Sequence, residues 1–104
     1  MLVTAVVAPA VQGEFDAWHR SVHMPKVLAI PGIQRGMRLR NPGAAVTYAT
    51  LYQFEDEAAL RTALASSEAQ EARTDWQRWT EHVRDITVHF YGEYEPRPTY
   101  VRLN

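Results

Sequence analysis

Six segments of alternating character run along the chain in the order strand, helix, strand, strand, helix, strand, and few folds accept that order. Leu2–Ala8 (LVTAVVA) is β-branched and almost wholly apolar, as a central strand buried on both faces requires. Pro9 closes it and Gln12-Gly13 turns the chain. Glu14–Leu28 has helical spacing, with Phe15, Trp18, Val22 and the stem of Lys26 at steps of three and four. Pro25 lies deep in that pattern and predicts a kink or an end of the regular helix near His23–Met24. A second short turn over Val27–Ile30 then stops at Pro31-Gly32. Ile33–Arg40 alternates, with Ile33, Met37 and Leu39 against Gln34, Arg38 and Arg40, like a half-exposed strand. Asn41-Pro42-Gly43 is a turn, and Thr47–Phe54 (TYATLYQF) is a strand rich in Thr and Tyr. Asp56 caps a helix with Leu60, Ala63 and Leu64 on its apolar stripe. Ser66-Ser67-Glu68 interrupts it, and Ala69, Ala72, Trp76, Trp79 and Val83 carry the stripe on. Ile86–Tyr94 is the last strand, ended by Pro96 and Pro98.

This is the split βαβ arrangement of ferredoxin-like α+β folds: a four-stranded antiparallel sheet with helices on one face. One domain over residues 1–96 and a C-terminal tail over 97–104 account for the chain. The sheet carries apolar groups on both faces. In the third strand Tyr48, Thr50, Tyr52 and Phe54 have one parity and Ala49 and Leu51 the other; in the last, Ile86, Val88 and Phe90 oppose Thr87, His89 and Tyr91. Packing of two sheets face to face in a homodimer is the simplest way to cover the second face.

Composition narrows the function. Eleven basic and twelve acidic residues leave a net charge of −1, which argues against a nucleic-acid partner. No cysteine is present, so disulfides, thiolate metal sites and cysteine nucleophiles are excluded. The longest apolar run, Ala5–Val11, is broken by Pro9 and too short to span a bilayer, and the N-terminus lacks a signal-peptide pattern. The expectation is a cytoplasmic protein with no membrane partner. No Gly-rich phosphate loop, Gly-x-Ser-x-Gly or flavin or nicotinamide fingerprint occurs, so no cofactor is expected.

Trp18-His19-x-x-x-His23-Met24-Pro25, followed by Val27–Ile33 with its Pro-Gly turn, resembles the helix-to-strand signature of EthD-like dimeric α+β barrel proteins. Tyr48–Phe54 with the acidic Glu55-Asp56-Glu57 behind it, and the aromatic finish His89-Phe90-Tyr91, are similar to that group as well. The resemblance implies a dimer whose sheets form a barrel, with a small pocket between sheet and helices in each protomer. Aromatic polyketide cyclases, muconolactone isomerases, cofactor-free monooxygenases and haem-degrading enzymes share the superfamily, so the resemblance offers several reactions.

Within that frame His23 is the candidate general acid or base, since a histidine near its ordinary pKa exchanges protons at neutral pH. A structural role, bonding a carbonyl freed by Pro25, is the alternative. His19, one turn earlier, is expected at the rim, as a solvent-side or substrate-binding residue. His19-x-x-x-His23 is also metal-ligand spacing, with His89 or Glu93 as a third donor, but the expectation is no metal. His89 and Tyr91 reach the pocket if their face meets the helices and an interface if it does not. Tyr52 orients the substrate; Trp76 and Trp79 pack the core and wall the pocket; Arg38 borders a solvated edge or clamps a carboxylate. The expected activity is His-centred acid–base catalysis on an aromatic or cyclic metabolite, of cyclase, isomerase or lyase type. Cofactor-independent oxygenation of a phenol, or ligand binding without turnover, are the alternatives.

Overall fold

The computed structural model describes residues 1–41, 43 and 47–92. Its strands are β1 (Leu2–Val7), β2 (Ile33–Asn41), β3 (Thr47–Phe54) and β4 (Val83–His89). They form one antiparallel sheet in the order β2-β3-β1-β4. The helices are α1 (Gln12–Trp18), α2 (Met24–Leu28), α3 (Glu57–Leu64) and α4 (Ser67–Trp76). This is the expected ferredoxin-like α+β fold.

The second helical region starts at the cap the sequence predicts and divides at the serine pair, where a second cap stands. The Asp56 carboxylate accepts from the Ala59 N–H at 2.8 Å and starts α3. Ser66 Oγ accepts from the Ala69 N–H at 3.1 Å and starts α4, so the serine pair does divide two helices. Gly32 takes φ 100° in the turn that stops α2, a conformation that favours glycine.

The first helical region departs from expectation at Pro25. The helix does not end near His23–Met24: a π-helical turn, His19–His23, joins α1 directly to α2. The Met24 N–H bonds back to the His19 carbonyl, five residues away, so the backbone ladder has already shifted before the proline. Pro25 then follows at the second residue of α2, just past the turn where the ladder has shifted. Val22, expected on the apolar stripe, is turned outward and is 39% exposed.

Two strand boundaries also differ. β4 begins at Val83, three residues early, because a 3₁₀ turn over Gln77–Trp79 ends the helix before Val83. A bulge follows: Arg84 and Thr87 pair with Val6 and Thr4, and Asp85 has φ 53°. β4 ends at His89; Tyr94, Glu93 and the tail over 97–104 lie outside the described residues. In β2 a register shift between Ile33 and Arg35 sends Ile33 to the helix side, away from Met37 and Leu39.

Strand alternation assigns the faces. Val3, Ala5 and Val7 of β1 and Tyr48, Thr50, Tyr52 and Phe54 of β3 face the helices. Gly36 pairs with Tyr52 on that face, and a Cβ there would meet Met24 Cε at 3.0 Å, so its missing side chain lets α2 close on the sheet. One core cluster gathers Phe15, Trp18, Tyr48 and Trp79 around Ala5, Val7 and Val83. A second gathers Met24, Val27, Ile30 and Tyr52 against Ala63, Ala69 and Ala72. The opposite face carries Leu2, Thr4, Val6, Met37, Leu39, Ala49, Leu51, Thr87 and His89. The Thr4 and Thr87 hydroxyls bond each other there, while Met37, Leu39 and Leu51 are 42%, 46% and 42% exposed. No described helix is long and apolar enough to cross a membrane.

Candidate functional site

A cavity of about 320 Å³ lies where the second core cluster meets the sheet. Its wall is mostly apolar, from Val3, Val27, Ile30, Phe54 and Ala72 among others. Val88 of β4 and Phe90, just past its end, border it and remain about half exposed, because α2 and α3 pack toward β2 and β3. The polar groups in this wall come from few places: the π-helical turn, β3 and α4.

The π-helical turn supplies His19 and His23. Both rings are buried, 3% and 5% exposed, with centroids 5.2 Å apart. This overturns the expectation of His19 as a solvent-side rim residue. Its Nδ1 accepts from Arg38 Nε at 2.9 Å. Desolvation pushes the His19 pKa down to about 3, helped by His23 and Arg38 and opposed by Asp16. The His23 ring stacks on Trp18 at 5.0 Å, and its Nε2 accepts from Trp76 Nε1 at 2.9 Å. Its Nδ1 is buried with no partner among the described residues. Desolvation lowers the His23 pKa to about 4; Asp75 pulls it up and Lys26 pushes it down. Lys26 and Asp75 are themselves paired at 2.5 Å. Both imidazoles are therefore neutral at neutral pH, so the premise of a histidine near its ordinary pKa does not hold.

Tyr52 and Thr50 line the cavity from β3. The Tyr52 hydroxyl donates to Met24 Sδ at 3.4 Å. Burial raises its pKa to about 12, against smaller opposing effects of Thr50 and Arg38, so it is a neutral phenol. Trp76 borders the cavity from α4, and Arg73 stands beside it, bonded to the Leu64 carbonyl and Gln70 Oε1.

Four sequence candidates fall elsewhere. His89 lies on the sheet face away from the helices, opposite Leu2, because the bulge at Asp85 sets that parity outward. Tyr91 follows it, 71% exposed. Trp79 packs edge-on against Phe15 at 5.3 Å, in the other core cluster. Arg38 does not border the cavity; it stands behind His19. The wall residues that the sequence reading passed over include Thr50, Phe54, Val88 and Phe90. Strand parity was their signal: the first two share a parity with Tyr52, and the last two oppose His89.

The metal alternative finds no donor set. Among the described residues no three His, Cys, Asp or Glu side chains come together, and one nitrogen of each ring already accepts an N–H bond. Glu93 lies outside the described residues.

Comparison with solved structures decides the fold. An EthD family protein from Bacillus halodurans superposes with a TM-score of 0.65 at 18% identity, covering 86% of this chain and 96% of that one. The chain shares the ferredoxin-like α+β fold of that structure. A candidate antibiotic biosynthesis monooxygenase from Deinococcus radiodurans gives a TM-score of 0.67 at 13% identity, covering 96% and 99%. SnoaB, a cofactor-independent oxygenase from Streptomyces nogalater, gives 0.61 at 20% identity, covering 92% and 94%. No protein-family model matches the sequence, and no curated protein does.

Proposed function

We propose that this cavity is the active site of a cofactor-free enzyme that moves a proton on a compact aromatic or cyclic metabolite, as a cyclase, isomerase or lyase does. The observation that carries this reading is a mainly apolar cavity of about 320 Å³ with two neutral buried imidazoles in one wall. His23 is the acid–base residue: its Nε2 takes the substrate proton in place of the Trp76 N–H. The resulting imidazolium, with a pKa near 4, returns that proton readily to a second substrate atom. His19 contacts the substrate oxygen, and the neutral Tyr52 orients the ring system.

Deuterium exchange at the carbon beside the carbonyl of indanone, followed by NMR in heavy water, tests this. Wild-type protein is expected to catalyse exchange, and His23→Ala to slow it by about 10²–10⁴-fold. No catalysed exchange, or a His23→Ala variant as fast as wild type, overturns the assignment. Likeness to SnoaB favours a second reading, cofactor-independent oxygenation of a phenol. An oxygen electrode separates the two, since only oxygenation consumes O₂.

A homodimer completes the proposal. Met37, Leu39 and Leu51 form an exposed apolar group on the sheet face opposite the helices, and a second sheet would cover it. Light scattering at micromolar concentration is expected to give twice the protomer mass, and Leu51→Lys to halve it. A wild-type mass of one protomer refutes the dimer.

A further inference from the structure

We infer that Arg38 is a positioning residue: it holds His19 as the neutral tautomer protonated on Nε2, so that the cavity presents a hydrogen-bond donor and selects ligands with a carbonyl or oxyanion oxygen. The inference deepens the active-site reading above and rests on it for the ligand. A guanidinium donates and never accepts. Arg38 Nε lies 2.9 Å from His19 Nδ1, so that nitrogen must offer its lone pair. A neutral imidazole carries one proton, and it is then on Nε2.

Arg38 is itself held in place. Its terminal nitrogen donates to Asp16 Oδ1 at 2.5 Å, and Asp16 sits on α1, one turn before His19. The chain Asp16–Arg38–His19 thus leaves the helix, crosses to β2 and returns within one turn. His19 borders the cavity, and its Nε2 has no partner among the described residues. With one lone pair engaged and the other nitrogen protonated, His19 cannot act as a base. It can only donate, which complements the base role of His23.

Nitrogen-15 NMR of the histidine-labelled, ligand-free protein at neutral pH reads the tautomer directly. Two variants test the bond. In Arg38→Lys a donor-only ammonium remains on a side chain of similar reach. In Arg38→Met a methyl group takes the place of Nε. Wild type and Arg38→Lys are expected to show His19 protonated on Nε2, and Arg38→Met to lose that preference. A wild-type proton on Nδ1, a tautomer lost in Arg38→Lys, or one kept in Arg38→Met overturns the inference. If Arg38→Met fails to fold, the wild-type and Arg38→Lys spectra decide alone.

Indanone and indane, alike in shape and differing in one carbonyl, test the ligand. Indanone is expected to bind about fivefold more tightly and to shift the His19 Nε2 signal, with the ratio falling toward one in Arg38→Met. Equal binding without a shift overturns the donor role. Failure of both probes to bind, with the tautomer intact, overturns the ligand half together with the proposed active site, while the role of Arg38 in setting the tautomer stands.

Discussion

Phe15→Ala is expected to destabilise the fold by about 4 kcal/mol, within the range found when a buried phenylalanine is cut back to alanine. Phe15 is fully buried and touches every member of the aromatic cluster from a different side. Its ring centroid lies 5.0 Å from Tyr48, 5.3 Å from Trp79, 5.5 Å from Trp76 and 5.8 Å from Trp18. Trp18 also packs against Trp76 and Trp79, which limits how far these rings can tilt into the space that the phenyl group leaves. A domain of this size has about 5–15 kcal/mol in total. The variant therefore sits near the edge of folding, with Tm lowered by roughly 20 °C. Urea unfolding followed by tryptophan fluorescence measures this directly. A loss below about 1 kcal/mol would mean that the cluster re-forms around the gap.

The second large effect is on pH dependence. Folding keeps His19 and His23 neutral, with pKa values near 3 and 4, whereas an unfolded histidine titrates near 6.5. Above about pH 6.5 neither state binds these protons and the two rings contribute no slope. Below it, the unfolded chain takes up protons that the folded chain refuses, so stability falls as the pH falls. Each ring contributes up to about 1.4 kcal/mol per pH unit until its folded pKa is reached. Between pH 7 and pH 5 the loss is expected to be about 2–4 kcal/mol. Asp16 and Asp75, whose carboxyls are held low by hydrogen bonds from Arg38 and Lys26, add their own losses at still lower pH. Urea unfolding at pH 7.5, 6 and 5, at one protein concentration, tests this, and the His19→Gln/His23→Gln double variant should flatten the profile. A wild-type profile flat from pH 7 to 5 would show that the rings are solvated.

The element order, the Asp56 cap, the break at the serine pair and the grouping of the β3 residues by face were legible because each depends on local spacing. Asp56 and Ser66 cap their helices through residues three positions ahead, and a period of two fixes a strand once its register is known. The site was half legible. His23, Tyr52 and Trp76 could be picked by residue type and helical or strand position. Placing His89 required the bulge at Asp85, which reverses parity along β4 and leaves no distinctive residue pattern in the sequence. Arg38 looked like a solvated edge because its partners, Asp16 and His19, lie about twenty positions away. The buried state of His19 depended on the path of a single helical turn.

That turn has a consequence for the length of the chain as well as its chemistry. Phe15, His19, His23 and Val27 are all buried and all four residues apart. In an α-helix each such step drifts by about 40°, so a straight path would swing the later members off the core and bring Val22 inward instead. The wider π turn takes up the accumulated angle. The rotational phase of this one helix decides whether the cavity has a polar end, and a single residue gained or lost between Phe15 and Val27 resets it. Substitutions in this stretch change one side chain; a one-residue insertion or deletion turns every later side chain of the helix by about 100°.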